Sequence, residues 1–339
     1  MKDKRLKTRL SYFFLQIIFL LFCYCGFAQI SVKQDTVLMG SKFDITIVAS
    51  DSVTATKNIN LVIDEIVRIE ELISEWKTSS QVSEVNRNAG IKPVKVCKEL
   101  FDLTKRALAF SEITNGAFDI SIAAIDKVWR FDGSMEKLPS QEILLKAIEK
   151  VGYQNIELNE IESSIFLKLP GMKIGFGATG KGYAADRGKL IMQQLQIKSG
   201  IVNASGDMAT WGVQPNNKPW RIGIANPFNP YKSLQILEVN NAAITTSGDY
   251  QKYVEFNDKR YSHIINPKTG MPASGLISVT VIGENAETAN GLSTSIMVLG
   301  QEKGLELLKN YPNYACLILT DKGKVKKSKN FNKILKSLR

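Results

Sequence analysis

The chain has 339 residues, four of them cysteines and 44% hydrophobic, a composition typical of a globular protein with a large core and not of a disulfide-rich scaffold. Its formal charge of +11 comes from the two ends, because residues 1–28 hold five basic residues against one aspartate, and residues 322–339 hold eight without an acid. The segment between the ends is close to neutral, so the charge does not indicate a nucleic-acid-binding protein.

The N-terminus has the pattern of a secretory signal peptide. Basic residues within 2–9 precede an apolar run over 12–24, and the small-residue pattern Gly26-Phe27-Ala28 follows. Because the run is shorter than the roughly 20 residues of a membrane-spanning helix, we expect cleavage after Ala28 and export to the periplasmic side. An uncleaved anchor in the inner membrane is the alternative. After cleavage only Cys97 and Cys316 remain, which allows at most one disulfide.

Apolar periodicity in the first half of the chain predicts a strand and two helices. Alternating apolar residues over 43–49 predict a half-buried strand. Steps of three and four predict a helix whose apolar face carries Val62, Ile66, Ile69, Ile73 and Trp76. A second helix has its apolar positions within 100–110, and Asn115 with Gly116 predicts a left-handed end.

Beyond Gly171 the sequence changes to short β-rich runs separated by turns. The runs are 200–204, 221–225, 242–246, 277–282 and 315–320. Helices are predicted over 182–194 and 290–309, and apolar residues in the basic tail 322–339 predict a docked terminal helix. The tail is interpreted as a solvated end, with a peripheral contact to anionic membrane lipids as the alternative. We expect one mature α+β domain with antiparallel sheet.

A glycine-rich segment, KIGFGATGKGYAADR, spans residues 173–187. Its glycines allow close approach of a ligand to the backbone, Lys181 supplies a cation, and the following helix presents unpaired N–H groups. These features suit a phosphate, although the segment matches neither the Walker sequence nor the dinucleotide fingerprint. A tight turn with an exposed lysine is the alternative.

His263 is the only histidine of the chain and stands directly before a turn rich in polar residues, proline and glycine. A single histidine is usually structural, but loops at strand ends often present reacting groups. His263 is therefore a candidate catalytic residue, and a structural role is the alternative.

Two oxygen-bearing side chains, Asn290 and Thr294, lie one helical turn apart and face the same side. Hard oxygen ligands of this kind suit Mg²⁺ or Ca²⁺. The alternative is that Thr288 or Asn290 merely caps the helix.

Taken in order, these segments resemble the ApbE family of FAD:protein FMN transferases. The resembling segments are 39–41, 74–76, 80–86, 116–121, 129–131, 177–186, 203–207, 219–223, 245–249, 263–272 and 289–300. The resemblance implies an ApbE-like, T-fold-like α+β fold of antiparallel sheets with packed helices. It also implies that residues 29–339 form a single FAD-binding and FMN-transferring domain.

The family's functional positions imply a set of site residues. FAD contacts are expected at Met39, Trp76, Ala117, Phe118, Asp119, Gly175, Lys181, Ile264 and Ile265, and Mg²⁺ or another divalent ion at Ala178, Asn290 and Thr294. His263 is expected to be catalytic, as the base that accepts the proton of the acceptor hydroxyl. Family members commonly have aspartate at the positions of Gly175 and Asn290. The missing carboxylates predict weaker metal binding, or a substitute among Asp207, Asp249 and Glu287.

The activity implied by the resemblance is metal-dependent transfer of FMN from FAD to a threonine hydroxyl of an acceptor protein, with release of AMP. A flavin-acceptor subunit of a membrane redox complex is the expected partner. A metal-dependent FAD pyrophosphatase and a non-catalytic exported flavin-binding protein are the alternatives.

Overall fold

A computed structural model describes residues 29–125, 128–229, 231–249, 253–256 and 259–339. The expected signal peptide, residues 1–28, lies outside the described residues. Within the described ranges, no helix combines the length and the apolar character needed to span a membrane.

Seven helices are present in the described residues: α1 (Ser52–Ile73), α2 (Gln81–Arg87), α3 (Lys98–Ile113), α4 (Gln141–Ile148), α5 (Gly180–Gln194), α6 (Ala286–Leu308) and α7 (Phe331–Ser337). The strands are β1 (Ile30–Leu38), β2 (Ser41–Ala49), β3 (Val94–Lys95), β4 (Ile156–Asn159), β5 (Ser164–Leu167), β6 (Gly200–Ala204), β7 (Asp207–Trp211), β8 (Trp220–Ile224), β9 (Gln235–Val239), β10 (Ala243–Gly248), β11 (Tyr253–Phe256), β12 (Lys259–Ser262), β13 (Leu276–Gly283), β14 (Ala315–Thr320) and β15 (Val325–Lys327). Two 3₁₀ helices cover Ile120–Ile125 and Tyr153–Asn155.

An eight-stranded antiparallel sheet organises the molecule, with strand order β1-β2-β6-β7-β10-β13-β14-β15. Three smaller sheets pair β11 with β12, β8 with β9, and β3 and β4 with β5. In the centre of the large sheet, Thr245 on β10 lies opposite Asp207 on β7 and Val281 on β13. This register places polar residues of two strands side by side on one face of the sheet.

That face is covered by α1, α5 and α6, and the main core lies between sheet and helices. Alternate residues of β2, such as Ile45 and Ile47, meet Ile59, Val62 and Ile66 of α1 in this core. The opposite face packs against the β8–β9 hairpin and α7. The fold is therefore α+β with antiparallel sheets in a single domain, as the sequence predicts.

Most of the expected elements are confirmed, with shifts at their ends. The apolar face of α1 is buried from Val62 to Ile73, but Trp76 lies beyond the end of the helix and is 79% exposed, so its assignment to that face is wrong. The apolar spacing continues past Ser74, where the backbone turns extended. Asn115 and Gly116 have φ of 49° and 73°, which confirms the left-handed end of α3.

The C-terminal half shows two further outcomes. The tail forms α7, whose Phe331 and Ile334 are buried, so the docked terminal helix is confirmed. Cys97 is exposed and Cys316 is buried on β14, and both are free thiols. The one disulfide that the sequence allows does not form.

Candidate functional site

The glycine-rich segment leads directly into the first turn of α5. Lys181 is the second residue of this helix, and its Nζ lies 3.5 Å from the Gly177 carbonyl oxygen. The same Nζ lies 3.8 Å from Oδ2 of Asp207 at the start of β7. The charged end of Lys181 thus lies next to the first residue of β7, a central strand of the large sheet.

Asp207 is a buried carboxylate, with 3% of the residue exposed. Burial raises its pKa to about 6, against the opposing effects of the Lys181 charge and a hydrogen bond donated by the Asn290 amide. Thr245 lies opposite Asp207, and its buried hydroxyl has no hydrogen-bond partner in the described part of the chain. The Thr245 hydroxyl is therefore an unpaired oxygen next to the Asp207 carboxylate within the described residues.

The polar face of α6 meets this strand end. Thr294 donates to Asn290 Oδ1 over 3.3 Å, and Ser247 Oγ on β10 lies 3.4 Å from Thr294 Oγ1 and 2.7 Å from Ser293 Oγ. We call Lys181, Asp207, Ser247, Asn290 and Thr294 the polar cluster; Asp207 and Asn290 are buried, and the other three are half-buried. Helix capping does not explain Asn290 or Thr288, because the helix begins at Ala286 and the Asn285 side chain accepts from the Thr288 N–H.

The junction between α5 and α6 brings Lys181 and Asn290 together. The Asp186 carboxylate on α5 accepts hydrogen bonds from the N–H groups of Ala286 and Glu287, each over 2.9 Å. A Cβ atom on Gly182 would lie only 2.5 Å from the Ala286 carbonyl oxygen, so the two backbones touch there. Burial raises the pKa of Asp186 to about 6.

The three acids expected as substitutes for a metal-binding aspartate have different surroundings. Glu287 forms an ion pair with Arg106, with Nε and Oε1 2.8 Å apart. Asp249 follows β10, and burial raises its pKa to about 6 against the charge of Arg260. Asp207 alone of the three hydrogen bonds to Asn290. No group of three or more His, Cys, Asp and Glu side chains that could hold a metal occurs in the described residues.

The donors that converge on α6 are hard oxygens of an amide, a hydroxyl and a carboxylate, and these fit Mg²⁺ or Ca²⁺. Ala178, the third expected ligand through its carbonyl, lies in the glycine-rich segment and is half-buried. Its role toward a metal stays a prediction.

His263 follows β12 directly and is exposed. Its ring meets the ring of Phe131 edge-on, with centroids 6.4 Å apart, and we call this pair the histidine rim. The loop beyond it is anchored because Trp129 donates its Nε1–H to the Gly270 carbonyl over 2.7 Å. Ile264 packs on the main core, and Ile265 packs on a smaller core around Trp129.

The segment Ala117-Phe118-Asp119 is buried. The Phe118 ring packs on the core, and the Asp119 carboxylate accepts hydrogen bonds from the Ser121 N–H and hydroxyl and from the Tyr153 N–H. Burial raises the pKa of Asp119. These side chains hold neighbouring loops together, and their contacts with FAD stay predictions.

The remaining expected pocket residues surround the glycine-rich segment or its opening. Met39 Cε lies 3.6 Å from the position of a Cβ on Gly180, whereas Trp76 is exposed. The space beside Gly175 is occupied by the Glu75 carboxylate, which the sequence analysis did not single out. Glu75 belongs to a segment that resembles the family, and that was the only signal that could have found it.

Comparison with known proteins shows the family to which the chain belongs. A model of the ApbE family matches residues 39–318. The chain belongs to the ApbE family. It is 32% identical over 290 residues to a FAD:protein FMN transferase of Klebsiella pneumoniae, covering 85% of this chain and 89% of the relative. It is 29% identical to a protein of the same name from Vibrio cholerae, covering 84% and 86%.

Solved ApbE structures share the fold. The ApbE protein of Thermotoga maritima superposes with a TM-score of 0.83 at 29% identity, covering 90% of this chain and 99% of that one. The flavin transferase ApbE of Vibrio cholerae superposes with a TM-score of 0.80 at 25% identity and the same coverage. The chain is therefore an enzyme of the flavin transferase type.

Proposed function

We propose that this protein is an exported, metal-dependent FAD:protein FMN transferase that moves FMN from FAD to a threonine hydroxyl of an acceptor protein and releases AMP. The observation that carries the proposal is the meeting of the glycine-rich segment with α6, where Lys181 lies 3.8 Å from Asp207 and Asn290 hydrogen bonds to the same carboxylate. This arrangement supports a pyrophosphate site next to a cation site.

Within this site the residues have separate tasks. Lys181 offers a positive charge to the phosphates, and Asp207 holds both Lys181 and the Asn290 amide in place. A divalent ion would be held by the Ala178 carbonyl, Asn290 and Thr294, with Asp207 supplying the negative charge that Asn290 lacks. When bound, such an ion neutralises the charge of the phosphates.

The transfer exchanges one phosphorus–oxygen bond for another. The threonine oxygen of the acceptor forms a bond to the FMN phosphorus, and the bond from that phosphorus to the bridging oxygen breaks, so that AMP leaves with the electron pair. The hydroxyl proton passes to His263, which is exposed at the rim where a protein substrate can reach it.

The proposal of export rests on the N-terminus of the sequence, and the expected partner rests on the resemblance to the family. The signal peptide of residues 1–28 would deliver the enzyme to the periplasmic side, where a flavin-acceptor subunit of a membrane redox complex is the expected protein substrate. The lysines of the 322–339 tail are exposed, which supports a peripheral contact with anionic lipids of the inner membrane.

One assay tests the proposal against its alternatives. The mature protein is incubated with FAD, Mg²⁺ and an acceptor subunit, then acceptor fluorescence on a denaturing gel and released AMP are measured. A fluorescent acceptor with an equal amount of AMP is the expected result. AMP without labelled acceptor would mean a pyrophosphatase, and neither product would mean simple flavin binding.

A further inference from the structure

The Glu75 carboxylate occupies the space beside Gly175. A Cβ atom on Gly175 would lie 2.4 Å from Glu75 Oε2 and 2.9 Å from Glu75 Cδ. The φ of Gly175 is not in the left-handed range, so the backbone conformation does not require glycine here. A side chain at position 175 would therefore have to displace the acid that reaches in from position 75.

One short helix fixes both partners of this contact. At the start of α2, the Ser80 hydroxyl donates to the Ser74 carbonyl over 2.6 Å, and the Ser83 hydroxyl donates to the Glu75 carbonyl over 3.2 Å. At its other end, Asn86 bonds the Ile174 N–H over 2.8 Å and the Ile174 carbonyl over 3.0 Å. The backbone next to Glu75 and the backbone next to Gly175 are thus both hydrogen bonded to α2.

The Glu75 carboxylate lies at the entrance to the glycine-rich segment. Gly175 donates its N–H to the Ile120 carbonyl over 3.0 Å, and Ala123 Cβ lies 3.1 Å from the position of a Cβ on Gly175. The 3₁₀ helix Ile120–Ile125, the Glu75 segment and the glycine-rich segment therefore meet at one point. Glu75 is half-buried, and its neighbour Trp76 is exposed, so this point has a side open to solvent.

We propose that Glu75 is a substrate-binding residue that supplies the carboxylate of the dinucleotide pocket from position 75 and accepts hydrogen bonds from hydroxyl or amine groups of the flavin nucleotide. This inference rests on the proposed function. A carboxylate only accepts hydrogen bonds and repels phosphate oxygens, so its partners are the neutral N–H and O–H groups of the substrate. The phosphates are instead expected to contact the Lys181 ammonium group.

The first test replaces Glu75 by glutamine, which keeps the shape and halves the accepting capacity. FAD, FMN and AMP are titrated separately against the mature protein by calorimetry, with thermal unfolding as a check on the fold. Glu75→Gln is expected to weaken binding of FAD by about tenfold, because one charged hydrogen bond is lost. The smaller ligand that loses affinity in parallel identifies the half of FAD that Glu75 contacts.

The second test places the carboxylate at position 175 instead of position 75. Gly175→Asp alone is expected to abolish FAD binding, because it places a side chain and a second negative charge against Glu75. In the double variant Glu75→Ser/Gly175→Asp, FAD affinity is expected to return to within about threefold of the wild type, a coupling that independent sites do not show. Gly175→Ala with Glu75→Ser controls for relief of the steric contact alone.

Two results would overturn the inference: unchanged FAD affinity in Glu75→Gln, or a double variant that binds no better than the control pair. The proposed function fails separately, since its failure is a wild-type protein that does not bind FAD or does not label the acceptor.

Discussion

In the polar cluster each side chain contacts another, with Asp207 between Lys181 and Asn290 and Ser247 beside Thr294. At the histidine rim, His263 is exposed, and its ring meets the Phe131 ring edge-on. A set of charges fixed before the substrate arrives needs no reorganisation during reaction. The proposed function needs both regions, with the cluster as the proposed phosphate site and the rim as the proposed approach of the acceptor protein.

The largest expected effect separates the rim from the cluster. His263→Ala removes the candidate base, so the rate of acceptor labelling should fall by about 10²–10⁴-fold while FAD affinity stays the same. Labelling is followed by in-gel flavin fluorescence and FAD affinity by calorimetry. Lys268→Ala, in the same exposed loop, is the matched control. Unchanged labelling in His263→Ala would end the assignment of the base.

Removing the cation of the cluster should be nearly as costly and should act on binding as well. Lys181→Met keeps most of the apolar stem but leaves Asp207 without its charged neighbour, so the labelling rate should fall by about 10²–10³-fold and FAD affinity should drop. Lys198→Met, at an exposed position, serves as control. A variant that binds FAD normally would place the phosphates elsewhere.

The metal response tests the α6 side of the cluster. Thr294→Ala removes an oxygen donor next to Asn290, and the Mg²⁺ concentration for half-maximal labelling should rise by about 10–100-fold. The rate at saturating Mg²⁺ should change much less. Thr56→Ala on the outer face of α1 should leave the titration curve unchanged.

The junction that brings cluster residues together is tested by stability. Asp186→Asn keeps one acceptor for the two N–H groups of α6 and should lower the free energy of unfolding by about 1–3 kcal/mol at pH 5 in urea titrations. Asp51→Asn, at the exposed N-cap of α1, is the control and should cost only a few tenths of that. An equal loss of unfolding free energy in both variants would mean that Asp186 contributes no more than an exposed N-cap residue.

The same carboxyl gives a pH dependence. The pKa of Asp186 in the folded protein is about 6, above its ordinary value of 3.8, so the folded state binds the proton more tightly than the unfolded state. The contribution of Asp186 to stability is therefore full below about pH 4 and is lost as the pH rises to about 6. Unfolding of Asp186→Asn should lack this part of the pH profile, and identical profiles would contradict the assignment.

Periodic segments of the fold could be predicted because one strong pattern decides them. The alternation over 43–49 gave β2 and the steps from Val62 to Ile73 gave α1. The same rule failed at Trp76, because apolar spacing carries no information about where the helix ends. It also started α6 four residues late, since the cap Asn285 stands before the apolar residues begin.

The candidate site was predictable only where its residues lie close in sequence. Asn290 and Thr294 face the same way because one helical turn separates them, and the structure shows them in contact. The sequence left Asp207 as one of three substitutes, since only the register of β7 and β10 brings it to α6. The filling of the Gly175 space by Glu75 depends on the packing of α2 and was beyond any local pattern.

The backbone contact between Gly182 and Ala286 has a consequence for how this family can vary in sequence. Because two main chains meet there without side chains between them, the separation of Lys181 and the Asn290 amide is set by backbone atoms, which every residue type possesses. Substitutions on the outer surfaces of both helices leave that separation unchanged. A methyl group added at position 182 would push the two helices apart and increase the distance between Lys181 and Asn290.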